Sequence, residues 1–131
     1  MKAPRVSVLM PVYNAAKTLL QTLESIAGQS FEDFEVVAVD DGSEDGSGEI
    51  LQGWVEKDCR FRVLLEEHRG IVETPNRGLE ECRGEFVARM DADDKMHPQR
   101  LDKQVGMLGA DEGLSVVSCL VETFPREDLG Q

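Results

Sequence analysis

The sequence contains only three cysteines, Cys59, Cys82 and Cys119, and no Cys-x-x-Cys pair. An odd number of widely spaced thiols supplies neither a disulfide framework nor a zinc knuckle. Each reads as a small, buried or half-buried side chain, and a reducing, cytoplasmic setting is expected. No stretch approaches 18 uninterrupted apolar residues, so no transmembrane helix is expected. The N-terminal MKAPRVSVLMPVY has a short basic start but no long apolar core followed by a small-residue cleavage site. It reads as a first strand, not a secretion signal. The segment MPVYNAAK after that strand has no glycine, so the Gly-x-Gly-x-x-Gly turn of dinucleotide-dependent oxidoreductases is missing. Positive charge is scarce: 14 Lys and Arg stand against 26 Asp and Glu, a net −12. Such a surface repels nucleic acid and anionic lipid headgroups. It leaves a small anionic substrate open, because a metal ion or a few cations can reverse the field inside one cleft.

What is present suits one globular domain over residues 1–131, with 40% apolar residues and enough length for a core. Residues 6–13 are dense in Val and Leu and read as a buried strand, with Pro11 near its end, where a missing N–H costs least. Asn14 is placed to cap a helix carrying Leu19, Leu20, Leu23, Ile26 and Ala27 at helical spacing, with Gly28 as its stop. A valine-rich strand over 34–39 runs into a loop of Asp, Gly and Ser. A short helix follows with Ile50, Leu51, Trp54 and Val55, then a strand over 61–65. Residues 71–82 read as a helix with Leu79 and Cys82 inward. A strand over 85–90 leads to an acidic cluster, and Pro98 suits the first turn of a helix with Leu101, Val105 and Leu108 inward. A fifth strand is expected over 114–119, and residues 121–131 show no clear element. Alternating strands and helices, with strands apolar on both faces, predict an α/β fold: a Rossmann-like, mostly parallel sheet with helices on both faces. Ligands of such folds gather at the carboxyl ends of the strands.

Those ends carry the chemistry. Three carboxylates fall within Asp91-Ala92-Asp93-Asp94. Their mutual repulsion is relieved by a hard divalent cation such as Mg²⁺ or Mn²⁺, which also accepts phosphate oxygens. On an extended strand end, Asp91 and Asp93 point to the same side. The alternative is an exposed acidic turn. A second cluster, Asp40-Asp41-Gly42-Ser43, ends the second strand. There Asp41 is placed to accept hydrogen bonds from a base or ribose, or merely to cap its own turn. Tyr13, the only tyrosine, is suited to lie beside a base ring or to pack on a loop. Arg69 and Arg77 offer planar forks for a diphosphate or for surface carboxylates. His68 and His97 read as solvated. A phosphoacceptor domain is disfavoured, because the fifth strand lacks the lysine such a site needs.

The order and spacing of PVYNA (11–15), VVAVDDGSEDGS (36–47), RG (69–70), NRGLEECRGEFVARMDADD (76–94) and HPQRLDKQV (97–105) resemble glycosyltransferase family 2, over nearly the whole chain. The resemblance implies the GT-A fold and a nucleoside-diphosphate sugar as ligand, most often a UDP-sugar. It implies transfer to an acceptor hydroxyl, with a divalent cation bridging the phosphates. By position, Pro11 and Tyr13 fall near the base and Asp41 contacts it. Asp91 or Ala92 lies near the ribose or sugar. Asp93 is the leading metal ligand, with Asp91 beside it, and an arginine between Arg69 and Arg77 approaches the diphosphate. The sequence departs from the family at Thr74-Pro75-Asn76, where Ala-Arg-Asn is usual. If the helix starts near residue 70, Pro75 lies inside it and costs up to ~3 kcal/mol. Alternatively, Thr74 caps and Pro75 opens a shorter helix. The family's general base and acceptor-binding half are expected beyond residue 131, so the chain reads as a donor-binding portion with weak or no transfer activity by itself. A non-catalytic nucleotide-sugar-binding fragment is the alternative. A face left uncovered by the missing half is expected to favour self-association.

Overall fold

A computed structural model describes residues 2–123. Most of the segment for which no element is expected, residues 124–131, lies outside the described residues. The elements are β1 (Val6–Val12), α1 (Ala16–Ala27), β2 (Phe34–Asp41), α2 (Ser47–Lys57), β3 (Phe61–Glu66), α3 (Glu73–Glu81), β4 (Phe86–Arg89) and α4 (Arg100–Ala110). The four strands form one parallel sheet in the order β3-β2-β1-β4. The chain therefore steps outward from β1 to β3, then returns past β1 to β4. A crevice opens where that direction reverses, outside the carboxyl ends of β1 and β4.

Side-chain alternation along the strands divides the core. Val6, Val8, Met10 and Val12 of β1 and Phe34, Val36 and Ala38 of β2 face a cluster that includes Leu19, Leu23 and Ile26 of α1, Leu51 of α2 and Leu101 of α4. Leu9, Val37 and Val39 are buried on the opposite face, where α3 packs against β1 and β2. Gly78 sets how closely α3 approaches: a Cβ there would lie 2.4 Å from Leu9 Cδ1 and 2.8 Å from Val39 Cγ2. The inward face of α3 is thus Thr74 and Gly78, one turn apart, and not Leu79, which is 50% exposed. Small residues face the sheet here because the helix backbone nearly touches it. Of the three cysteines expected to be buried or half-buried, only Cys82 is half-buried, and Cys59 and Cys119 are exposed.

Three further expectations change. The helix begins at Glu73, so Pro75 occupies its first turn, where the N–H has no partner inside the helix, and the ~3 kcal/mol penalty does not arise. Thr74 does not cap it: Val72 holds the cap position without a side-chain bond. No strand forms over residues 114–120. That segment lies along one side of a groove of about 430 Å³, whose other walls are β4 and α4. Val116 is 81% exposed, and valine's preference for strands is realised only beside a paired neighbour.

At the amino ends of the strands a polar network was not legible in advance. Glu35 is buried in β2. It accepts Ser7 Oγ–H (2.6 Å) and the Arg83 N–H (2.8 Å) at Oε2, and Arg62 (2.9 Å) and Arg83 (3.0 Å) at Oε1. Burial pushes its proton affinity up, but the bonds from Ser7 and Arg83 and the charge of Arg62 outweigh it, leaving the group below the ordinary glutamate range. The network ties β1, β2, β3 and the turn before β4 together at the end remote from the crevice.

Candidate functional site

The crevice is a cleft of about 890 Å³. The end of β1 supplies Pro11, Val12 and Tyr13, and the first turn of α1 adds Lys17 and Thr18. Asp41 enters from the end of β2. His68, Gly70 and Thr74 come from the β3–α3 loop and the start of α3, and Arg89, Asp91, Ala92 and Asp93 from the end of β4. Of the residues singled out in the sequence, Pro11, Tyr13, Asp41, Asp91, Ala92 and Asp93 come together here. Arg69 and Arg77 do not line the cleft. Arg69 is exposed and contributes its backbone N–H to Asp41. Arg77 is held by Glu66 (3.0 Å) and Glu81 (2.8 Å) on the outer side of α3. The cleft's cations are instead Lys17 and Arg89. The sequence signal for Lys17 is its place just after PVYNA, in the first turn of a helix that follows a strand end.

The loop after β2 builds the wall between β1 and β2. Asn14 does not cap α1. Its φ is +46°, and its Oδ1 accepts the Glu44 N–H at 2.9 Å. The helix start is satisfied from across the cleft: Ser43 Oγ accepts Asn14 N–H (2.8 Å), Ser47 Oγ accepts Ala15 N–H (3.0 Å) and Asp45 Oδ2 accepts Ala16 N–H (3.0 Å). The run of Asp, Gly and Ser is therefore a capping device acting at a distance. The bonds from Ser47 and Ala16 hold Asp45 below the ordinary aspartate range.

Asp41 is buried, yet its surroundings favour the charged carboxylate. Burial raises its proton affinity, but the backbone N–H groups of Arg69 (2.6 Å, on Oδ1) and Gly70 (3.1 Å, on Oδ2) bring it net below the usual range. His68 Nδ1 lies 2.9 Å from Oδ2 and 3.2 Å from the Asp41 carbonyl oxygen. The His68 ring also stacks on Tyr13, with centroids 4.4 Å apart. His68 is exposed, as expected of a loop histidine, yet it also contacts two residues of the site.

The acidic segment after β4 is a turn, not a strand end, and it still directs Asp91 and Asp93 into the cleft. Ala92 is its pin: it is buried, and the hydroxyls of Thr18 (3.0 Å) and Thr22 (2.9 Å) reach its carbonyl oxygen. Ser25 Oγ accepts the Met96 N–H at 2.9 Å. This hydroxyl stripe on α1 was missed in the sequence, where only its leucines stood out. Asp91, Asp93 and Asp94 each offer a carboxylate oxygen within 4.8 Å of the others, and all three are exposed. Burial, and then the charges of Asp93 and Asp91, push the Asp94 carboxyl above the ordinary range. An all-oxygen, exposed, mutually repelling donor set fits a hard divalent cation. Arg89 offsets part of the charge, with Nη2 3.3 Å from Asp91 Oδ1.

Comparison with known proteins follows the same outline. The family described as "Glycosyl transferase family 2" matches residues 7–129. The chain is 34% identical to the putative glycosyltransferase EpsH of Bacillus subtilis (strain 168) over 131 residues, covering 100% of this chain and 37% of that protein. It is 41% identical over 103 residues to the putative teichuronic acid biosynthesis glycosyltransferase TuaG of the same organism, covering 78% of this chain and 41% of that one. The chain thus spans about two-fifths of the length of these curated relatives. Among solved structures, it superposes on the mannosyltransferase PcManGT from Pyrobaculum calidifontis, in complex with GDP-Man and Mn²⁺, with a TM-score of 0.84 and 31% identity, covering 99% of this chain and 38% of that one. It superposes on S. aureus TarS 1–349 in complex with UDP-GlcNAc with a TM-score of 0.75 and 28% identity, covering 87% and 37%. With the motifs in order along a parallel sheet of this topology, the chain belongs to glycosyltransferase family 2 and has the GT-A fold.

Proposed function

We propose that the cleft binds a nucleoside-diphosphate sugar, preferably a UDP-sugar, with Mg²⁺ or Mn²⁺, as the donor-binding portion of an enzyme that transfers the sugar to an acceptor hydroxyl with inversion. The observation that carries this reading is the convergence of three unlike groups at one switch point: the Pro11–Tyr13 wall, the buried carboxylate of Asp41, and the exposed carboxylates of Asp91 and Asp93. Each suits a different part of one ligand. An aromatic face suits a base, a desolvated carboxylate suits the polar edge of that base, and paired carboxylates suit a cation on the diphosphate. The complexes of TarS with UDP-GlcNAc and of PcManGT with GDP-Man and Mn²⁺ support the ligand class.

Asp93 and Asp91 would hold the cation, and Ala92 would lie near the ribose or sugar. When bound, the ion stabilises the negative charge that develops on the diphosphate as the sugar–oxygen bond breaks. Lys17 and Arg89, which line the cleft where Arg69 and Arg77 do not, would add positive charge on the phosphate side. The deep placement of Asp41 keeps water from competing for its carboxylate.

Calorimetric titration with UDP, GDP and NAD, each with and without Mn²⁺, tests the reading. UDP is expected to bind tightest, and only with the metal. Asp93→Ala is expected to weaken it by at least about tenfold, or ~1.4 kcal/mol. Metal-independent binding that is unchanged in Asp93→Ala would sink the proposed site.

A further inference from the structure

Asp41 is nearly inaccessible, and the chain itself closes the approach to it. Its side chain is 5% exposed, whereas that of His68, lying against it, is 57% exposed. Two backbone N–H groups, from Arg69 and Gly70, bond to its oxygens. The Thr74 side chain also stabilises its charged form, and His68 Nδ1 lies 2.9 Å from Oδ2 and 3.2 Å from the backbone carbonyl. A carboxylate and a carbonyl are acceptors only, so Nδ1 carries the proton. The same imidazole lies over Tyr13 at 4.4 Å between centroids, with 31° between planes. One side chain therefore makes both contacts assigned above to the nucleobase: a ring face on Tyr13 and a ring N–H toward Asp41.

This seat is built by the fold. Gly42 has φ +73°, and a Cβ there would lie 2.8 Å from the His68 backbone nitrogen and 3.2 Å from its Cβ. Only glycine allows the two loops to pass so closely at that backbone conformation. The imidazole, by contrast, is half in solvent, so it can rotate outward without disturbing the core. A base cannot slide between the two rings, because two stacked layers need roughly twice the observed separation.

We propose that His68 occupies the base position of the donor site in the ligand-free chain and yields it to the base when the nucleotide binds. This rests on the nucleotide-sugar reading. Base binding then exchanges contacts instead of adding them, and His68 sets the affinity by competing from within the chain.

The test is calorimetry on the full chain with Mn²⁺, using UDP and inorganic pyrophosphate, with wild type, His68→Ala and His68→Asn. His68→Ala is expected to bind UDP roughly 3- to 10-fold more tightly, the scale of one released hydrogen bond and stack. His68→Asn, which keeps an N–H but no ring, is expected to fall between it and wild type. Pyrophosphate, lacking a base, is expected to bind all three alike. In the wild type, NMR of the two histidine rings is expected to show the His68 signals moving on UDP saturation, with His97 as internal reference. Weaker or unchanged UDP binding in His68→Ala, or His68 signals that stay fixed at saturation, overturns the proposal while pyrophosphate binding still stands. If neither ligand binds any variant, the donor-site reading itself falls, and this proposal with it.

Discussion

Gly78 offers a test of whether α3 is held against the sheet by the absence of a side chain. An ordinary helical glycine replaced by alanine stabilises a protein by about 1 kcal/mol, through helix propensity and a less flexible unfolded chain. Gly53 in α2 and Gly106 in α4 are such positions, since a Cβ there meets nothing within 4 Å. At Gly78 the added Cβ would lie 2.4 Å from Leu9 Cδ1 and 2.8 Å from Val39 Cγ2. The leucine methyl sits at the end of a rotatable chain and can yield in part. The valine methyl is on a stiff β-branched side chain in a buried strand and cannot yield without backbone movement. That places the overpacking penalty near the upper end of the usual 1–3 kcal/mol, about 3 kcal/mol. Less the gain of about 1 kcal/mol, Gly78→Ala is expected to cost about 2 kcal/mol net. For a chain of this length, 1 kcal/mol moves Tm by roughly 3–4 °C. Gly78→Ala should therefore lower Tm by about 7 °C, while Gly53→Ala and Gly106→Ala should each raise it by about 3–4 °C. Thermal unfolding followed by circular dichroism reads all three. Because α3 carries Thr74 into the cleft, UDP affinity should fall with Gly78→Ala and stay constant in the other two. Stabilisation by Gly78→Ala equal to that of the other two would refute the close-packing argument.

The cleft cations separate cleanly. Lys17→Ala is expected to weaken UDP binding and flatten its salt dependence, whereas Arg77→Ala, whose guanidinium is committed to Glu66 and Glu81, should alter affinity by no more than about twofold. Equal losses in the two variants would reverse the assignment. Glu35 should shape acid stability. Its proton affinity is lowered on folding, so its contribution is fully present above the unfolded value near 4.5 and is lost as pH falls through the lower folded value. Glu35→Gln should cost about 3 kcal/mol at pH 7, the low end for a broken buried pair because Arg62 and Arg83 remain partly solvated. The cost should shrink toward pH 3 in urea-unfolding curves, and a pH-independent difference would show that Glu35 acts by shape alone.

The fold was legible where one segment's pattern determines its state. Valine-dense β1 and β2 follow from periodicity and burial and recur in the structure. The stripe of α1 recurs at Leu19, Leu23 and Ile26, whereas Leu20 is 48% exposed and Thr22 is buried in addition. Failures came where a partner decides. Residues 114–120 carry strand-forming side chains but pair with no strand. Leu79 looked like core, yet a glycine-lined approach turned Thr74 and Gly78 inward instead. Asn14 looked like a cap, but the caps of α1 come from Ser43, Asp45 and Ser47 in another loop.

For the site, the sequence alone determined which chemistry is present and at which strand ends. Tyr13, Asp41 and the carboxylates of Asp91 and Asp93 could be named as candidates because each lies at or just after the end of a strand, and parallel strands present their carboxyl ends on one side. Tertiary structure decided which cations share the cleft with them: Lys17 and Arg89 line it, whereas Arg77 is turned outward by Glu66 and Glu81. It also decided that His68 already covers Asp41 and Tyr13. Composition and spacing specify a side chain's type and the element that bears it. The direction of a long or ring-bearing side chain depends on partners from other elements, Glu66 of β3 for Arg77 and Tyr13 and Asp41 for His68, and only the packed sheet brings those partners beside it.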